Sequence, residues 1–351
     1  MSPTHLPACR SRHFSLRALI TALVVILGLA VAPPSGFAAS HPSPAPEKAT
    51  PHVAKPRSKT GNRAGKKAPA NTDLMTYHGG PVEAVPAVYI VYWGSQWTNA
   101  DGSLNDPKGE VALQKKFFTN LVGSGDNWST TNTQYCWGPP VTTGATSCPD
   151  SATHIEHLDS GLLAGTWTDT SAAVPANPTS DDIANEAFNA AAHFGVSGDG
   201  NQFIIDTPTG VTPQDFPNKY CSWHSSQESA DGNTLVVYTN FPYMPDAGAQ
   251  CGANWIDPGT TGVAGDTEGV TIVGGHEYAE TLTDPEPMSG WSTDNDTTGG
   301  EIGDKCIWNN GVSAIKSIGG TNFAVQPLWS NNFNNGKGGC AIYYNSPTDQ
   351  G

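Results

Sequence analysis

One stretch of this 351-residue chain limits the folds open to it more than any other. Val270, Val273, His276, Glu277 and Glu280 fall at steps of three and four residues, the spacing that gathers side chains on one face of a helix. The three polar groups continue an apolar stripe instead of occupying the opposite face. A carboxylate on a core-facing stripe has to be paired, protonated or metal-bound. The fold must therefore seat two carboxylates and an imidazole at the level of its core, or rotate that end of the helix into solvent. Gly274 and Gly275 interrupt the stripe. Each weakens a helix by about 1 kcal/mol relative to Ala, so their presence predicts a neighbour packed close against the backbone. The helix is predicted from about Thr267 to Thr283, with Asp266 as its cap and Pro285 as its end.

His276-Glu277-x-x-Glu280 is a variant of the His-Glu-x-x-His pattern of zinc hydrolases. A histidine and two carboxylates can hold Zn²⁺ while leaving a position for water, and Glu277 is placed to take a proton from that water. Five residues with three fixed positions make a loose pattern by themselves. Downstream, Glu301 lies 25 residues beyond His276, and Asp304 follows one helical turn later. We read Glu301 as the third metal ligand and Asp304 as the group that holds the other ring nitrogen of His276. The reverse assignment stays open. A competing reading makes Asp294, Asp296 and Asp304 a Ca²⁺ loop, because Ca²⁺ prefers clustered oxygens, although the spacing is not that of an EF-hand. A hydrated acidic loop is the plainer alternative. His224, in Cys221-Ser222-Trp223-His224, could polarise a carbonyl or stabilise an oxyanion, or simply bond a loop carbonyl. His154 and His157 have His-x-x-His spacing but would diverge along an extended segment, which predicts a surface strand.

The start of the chain reads as a secretory signal over residues 1–39. Arg10, Arg12 and Arg17 precede the run Ala18 to Ala32, and Gly36-Phe37-Ala38-Ala39 offers small residues for cleavage. A spanning helix needs about 20 apolar residues, so no membrane attachment is expected after cleavage. Residues 40–72, rich in Pro, Ala, Lys and Ser, read as a disordered basic linker or pro-segment with nothing to bury. The charge then changes sign. Residues 71–351 carry 7 basic and 31 acidic side chains, a formal balance of −24, and no arginine. A nucleic-acid groove needs a basic footprint, so nucleic acid is excluded as a partner.

The domain over 73–351 is large enough for one large core or two lobes. Ala87 to Trp93 reads as a buried strand, and Phe203-Ile204-Ile205 and Leu235 to Tyr238 are further strands. Lys108 to Leu121 fits an amphipathic helix, and Ser180 is read as the cap of a helix over Asp181 to Phe194. The expected class is α/β (α+β): a mixed sheet with packed helices, long loops and disulfide staples.

Three blocks carry a family resemblance. Tyr77-His78-Gly79-Gly80-Pro81-Val82 leads into Val88 to Gly94. His276-Glu277-x-Ala279-Glu280-x-x-Thr283-Asp284-Pro285 leads through Gly290-Trp291 into Glu301-Ile302-Gly303-Asp304-x-Cys306. Phe323 to Ser330 and Cys340 close the series. Together they resemble the EXORDIUM-like, phosphate-induced secreted proteins of plants and their microbial relatives, over most of residues 75–345. The resemblance implies an extracellular, even cell-wall, location, and it draws attention to His224 just after a cysteine. The separation of His276 from Glu301 also resembles that of thermolysin-like zinc peptidases, with Glu280 in place of the second histidine. The expectation is thus a secreted, monomeric, zincin-like Zn²⁺ hydrolase acting on a protein or peptide substrate. His276, Glu280 and Glu301 or Asp304 would hold the metal, Glu277 would be the base and His224 would assist. A non-catalytic protein that binds a cell-wall polymer or receptor around a structural ion is the alternative.

Cys9 leaves with the signal, and six cysteines remain: Cys136, Cys148, Cys221, Cys251, Cys306 and Cys340. Six allow 15 pairings; nearest-neighbour pairing is the expectation, and each such loop stabilises a fold by about 2–4 kcal/mol. No Cys-x-x-Cys pair offers a thiolate metal site. Cys306 is two residues beyond Asp304, so its bridge to Cys340 should restrain the segment that supplies Glu301. Reduction is expected to loosen the metal site before it unfolds the domain. Unchanged metal affinity in the double variant Cys306→Ser, Cys340→Ser would refute that coupling.

Overall fold

The computed structural model describes residues 52–57, 74–256, 262–293, 300–308 and 314–344. In chain order they form β1 (His52–Ala54), β2 (Thr76–Tyr77), β3 (Ala87–Trp93), α1 (Glu110–Asn120), β4 (Cys136–Trp137), β5 (Thr153–His154), β6 (Leu163–Asp169), α2 (Ser180–Phe194), β7 (Asn201–Thr207), β8 (Ser222–Glu228) and β9 (Leu235–Pro242). There follow α3 (Met244–Ala247), α4 (Glu268–Thr283), β10 (Trp291–Ser292), β11 (Ala314–Ile318), β12 (Thr321–Val325), β13 (Leu328–Ser330), α5 (Phe333–Gly336) and β14 (Gly339–Ala341).

Six strands make the main sheet in the order β1-β8-β9-β7-β3-β6. β3 runs parallel to β6 and β7, and β7 parallel to β9. β8 and then β1 are added antiparallel at one edge. The class is therefore α/β with a mixed sheet, as the residue patterns predict. In β7 and β9 consecutive residues are buried, Gln202 to Thr207 and Val236 to Pro242. Both faces of these strands are covered, the usual state of parallel strands between layers. Helix α2 packs on β7 and β9, and α4 packs on β8, β12 and α1.

The helix ends differ from the predictions in instructive ways. α2 is capped by Thr179, not Ser180. The Thr179 hydroxyl accepts from Asp182 N at 3.2 Å, and the Asp182 carboxylate accepts from Thr179 N at 2.8 Å. This reciprocal box satisfies two orphan donors, which Ser180 one residue later could not do. Asp266 does not cap α4. It sits in a 3₁₀ turn (Gly265–Thr267), and its carboxylate pairs with Lys108 Nζ at 2.8 Å, while the helix begins at Glu268 without a side-chain cap.

α4 is more than a one-sided stripe: all its residues are buried. An all-round buried helix needs close neighbours on every face, and the glycines supply room for them. A Cβ on Gly275 would lie 2.8 Å from Trp128 Cη2 and 3.3 Å from Phe117 Cζ.

The linker expectation fails at residues 52–57. β1 pairs with β8, and Ala54 is fully buried. An edge strand needs backbone hydrogen bonds and a small inward side chain, not a core of its own. The rest of residues 1–73 lies outside the described residues, the predicted signal included.

Three disulfides join nearest neighbours, Cys136–Cys148, Cys221–Cys251 and Cys306–Cys340, with Cα–Cα separations of 5.9, 5.5 and 5.6 Å. They fit a protein that matures in an oxidising compartment. No helix among the described residues is long and apolar enough to cross a membrane.

The packing around Gly275 yields a test. Ala is favoured in a helix by about 1 kcal/mol, but overpacking a core costs about 1–3 kcal/mol. With Trp128 at 2.8 Å, overpacking should win. Gly275→Ala is expected to lower the urea midpoint without changing the m-value.

Candidate metal centre

The centre forms where three segments meet. α4 supplies His276, Glu277 and Glu280, β8 supplies His224, and the turn over residues 300–308 supplies Glu301 and Asp304. His224, His276, Glu280 and Glu301 are fully buried, Glu277 is 1% exposed and the Asp304 side chain 3%. The helix end is thus not rotated into solvent, and the candidates of the zinc reading, His224, His276, Glu277, Glu280, Glu301 and Asp304, lie in one buried cluster.

Glu280 faces both imidazoles. Its Oε1 is 3.0 Å from His276 Nε2 and accepts from Asp304 N at 2.8 Å. Its Oε2 is 3.7 Å from His224 Nδ1. Asp304 Oδ1 lies 3.7 Å from His276 Nε2. His224 Nδ1 is 3.2 Å from Glu277 Oε2, and His224 Nε2 is 3.8 Å from Glu301 Oε1. Asp304 therefore accompanies His276 and Glu280, whereas Glu301 stands on the His224 side. Two sets of ligand atoms each lie within 4.8 Å of one another: His276, Glu280 and Asp304, and His224, Glu277 and Glu280.

The role read for Asp304, holding the far nitrogen of His276, belongs to Gln326. Gln326 Oε1 is 3.2 Å from His276 Nδ1, and its Nε2 donates to Gly303 O at 2.8 Å. With the amide nitrogen committed as donor, Oε1 must accept, so Nδ1 carries hydrogen and Nε2 faces Glu280 and Asp304. Trp128 Nε1 in turn donates to Gln326 O at 2.8 Å. The indole that Gly275 admits thus helps place the residue that orients His276. Nothing in the spacing of the sequence marks Gln326, which lies 50 residues from its partner.

Burial opposes a charge on His276, but Glu280 against Nε2, with Glu277 and Asp304 behind it, outweighs burial and pushes the imidazole up to about 9. Burial raises the Glu277 carboxyl above its ordinary range, and the His224 hydrogen bond opposes that rise. Asp284 is also raised by burial, opposed by backbone donors from Gly290 and Met288.

The other two histidines weighed from the sequence lie away from the centre. His154 bonds Thr133 O and Pro149 O, and His157 pairs with Asp126 at 3.2 Å, so the two diverge as expected. Cys136 and Cys148 lie near His154 but share a disulfide, which removes both thiolates as ligands. Asp294 and Asp296 of the Ca²⁺ reading lie outside the described residues.

No family model and no solved structure matches the chain. The chain is 25% identical over 304 residues to Protein EXORDIUM-like 5 of Arabidopsis thaliana, which covers 75% of this chain and 77% of that protein. This distant likeness supports the EXORDIUM-like resemblance of the sequence blocks.

The turn passes so close to the cluster that only glycine fits at 303. A Cβ there would lie 2.7 Å from His276 Nδ1 and 2.9 Å from Glu280 Oε1. Gly303→Ala should therefore break the Gln326–His276 contact and destabilise the fold by about 1–3 kcal/mol. An unchanged denaturation midpoint and an unshifted His276 ring resonance in NMR spectra would contradict this.

Proposed function

We propose that the chain is an exported, metal-dependent hydrolase of zincin-like design, acting on peptide bonds. The observation that carries this reading is Glu280 between two buried imidazoles, with Glu277 and Asp304 beside it. Several carboxylates in a dry site repel one another unless a cation or protons compensate. The donor set fits the cation: one imidazole nitrogen and two carboxylates, from His276, Glu280 and Asp304, are a ligand set Zn²⁺ accepts. Imidazole donors favour Zn²⁺ or another transition ion over Ca²⁺, which takes oxygens.

When bound, such an ion supplies Lewis acidity and makes a water acidic enough to lose a proton near neutral pH. The chain's own part is to receive that proton. Glu277 Oε1 has no hydrogen-bond partner among the described residues, while Oε2 is held by His224. One oxygen is thus left to accept, and burial has already raised the affinity of the carboxyl for a proton. His224, between Glu277 and Glu301, stands next to the reacting group and holds the second oxygen of Glu277. The His-Glu-x-x-Glu spacing, a variant of the zinc-hydrolase pattern, supports a peptide substrate.

A second reading has one observation in its favour. The near-complete burial of the cluster suits a structural ion in a non-catalytic secreted protein that binds a wall polymer or receptor. Two variants separate the readings. Elemental analysis of the exported protein should find about one equivalent of zinc, lost in His276→Ala; equal content in both would remove the metal site. Glu277→Gln should retain the metal and lose about 10²–10⁴-fold in peptide turnover. Full turnover in Glu277→Gln would refute the mechanism. A wild-type protein that holds zinc, cuts no member of a peptide library and loses thermal stability on chelation would establish the structural reading.

A further inference from the structure

The main sheet ends on a strand from the basic segment that precedes the domain. β1 pairs antiparallel with β8 in the register His52 opposite His224, Val53 opposite Trp223 and Ala54 opposite Ser222. β8 carries His224 of the candidate centre, so the backbone at residue 52 runs alongside that centre. The segment is gripped largely through its main chain. Ala54 O accepts from Cys221 N at 2.7 Å, Lys55 O accepts from Trp308 Nε1 at 2.7 Å, and Arg57 N donates to Gln250 O at 2.9 Å. Two side chains add to this. Ala54 is fully buried, and the Arg57 guanidinium lies 4.0 Å over the Trp255 ring and donates to Ala249 O at 3.1 Å.

This mode of holding is sequence-tolerant. Backbone hydrogen bonds give affinity, and a small inward pocket and a cation–π clamp give modest selectivity. Without β1, β8 would present a bare row of N–H and C=O groups, a template for any extended chain. Charge favours a basic occupant, because the domain over 71–351 carries 31 acidic and 7 basic residues. The tether between Arg57 and Leu74 contains Lys59, Arg63, Lys66 and Lys67, residue types that many processing proteases recognise.

We propose that residues 52–57 are a tethered occupant of the β8 edge, and that displacement or cleavage of this segment opens the edge to an extended, basic peptide of another protein. The segment is then an autoinhibitory strap, and the edge is a peptide-docking site beside His224. Docking stands on the strand geometry alone; only its consequence for turnover rests on the hydrolase reading.

The test uses the whole exported chain and a fluorescent peptide spanning Thr50 to Ser58. Ala54→Asp puts a charge at a fully buried strand position and should evict β1. Arg57→Ala, which removes only the clamp on Trp255 and Ala249, is the milder second variant should Ala54→Asp fold poorly. A covalently linked occupant acts at an effective concentration of order mM, so the probe should bind at least about ten-fold more tightly to the variants than to wild type. Amides of β8 should exchange faster in the variants, and a probe with proline at 53 and 55 should not bind. Equal probe binding to wild type and both variants, or unchanged β8 exchange, would overturn the proposal. Displacement of the probe by a soluble wall polysaccharide but not by unlabelled peptide would overturn it too. Peptide cleavage that is present and equal in wild type and variants would refute autoinhibition. Tight probe binding without cleavage in any form would retire the hydrolase reading and leave the docking site standing.

Discussion

Burying like charges is the constraint around which this domain is arranged. Glu277, Glu280, Glu301 and Asp284 are all nearly or fully buried, where an isolated carboxylate would be strongly disfavoured. Two imidazoles stand among them, with Glu280 shared between His276 and His224. The neighbouring structure follows from keeping these groups in place. Gly303 lets the turn pass against the imidazole, Gln326 sets its tautomer, and Trp128, admitted by Gly275, fixes Gln326. Adding a methyl group at either glycine therefore disturbs chemistry as well as packing.

The sheet gives this cluster a rigid floor. β7 and β9 are buried on both faces and hold β8 in register, so His224 is presented from a strand while His276, Glu277 and Glu280 come from a helix packed on it. The turn that brings Glu301 and Asp304 belongs to no regular element. It is tied down by Cys306–Cys340, by Trp329 N donating to Ile302 O at 2.8 Å and by Gln326. Functional groups on irregular backbone need such supports, because loops by themselves do not hold a geometry. The opposite side of β8 is closed by β1, a strand borrowed from a segment whose composition gives no hint of packing.

Some of this was legible in the residues. The strand over 87–93 and the helix holding the His-Glu-x-x-Glu spacing follow from short-range pattern: β-branched runs and steps of three and four. The disulfides take the nearest-neighbour set among the 15 pairings that the sequence leaves open. The need of Gly274 and Gly275 for close neighbours could also be anticipated. Misreadings arose where one position competes with its neighbour. Thr179 displaced Ser180 as a cap because only Thr179 forms the reciprocal box with Asp182. Asp266 was drawn off to Lys108, a partner 158 residues away.

The sequence by itself determined that two carboxylates and a histidine would share one helical face with an apolar stripe, because the helical period is a local property of the chain; that this face is buried was decided by the packing around it. It also determined that the domain would be acidic, disulfide-stapled and built of both helices and strands. Tertiary structure alone decided how those groups pair. His224 meets Glu277 across 53 residues, and Gln326 takes the His276 nitrogen across 50. It also decided that Asp304 lies nearer His276 while Glu301 faces His224, and that residues 52–54 complete the sheet. These contacts have no signature along the chain, since they depend on where the sheet, the helix and a stapled turn converge in space.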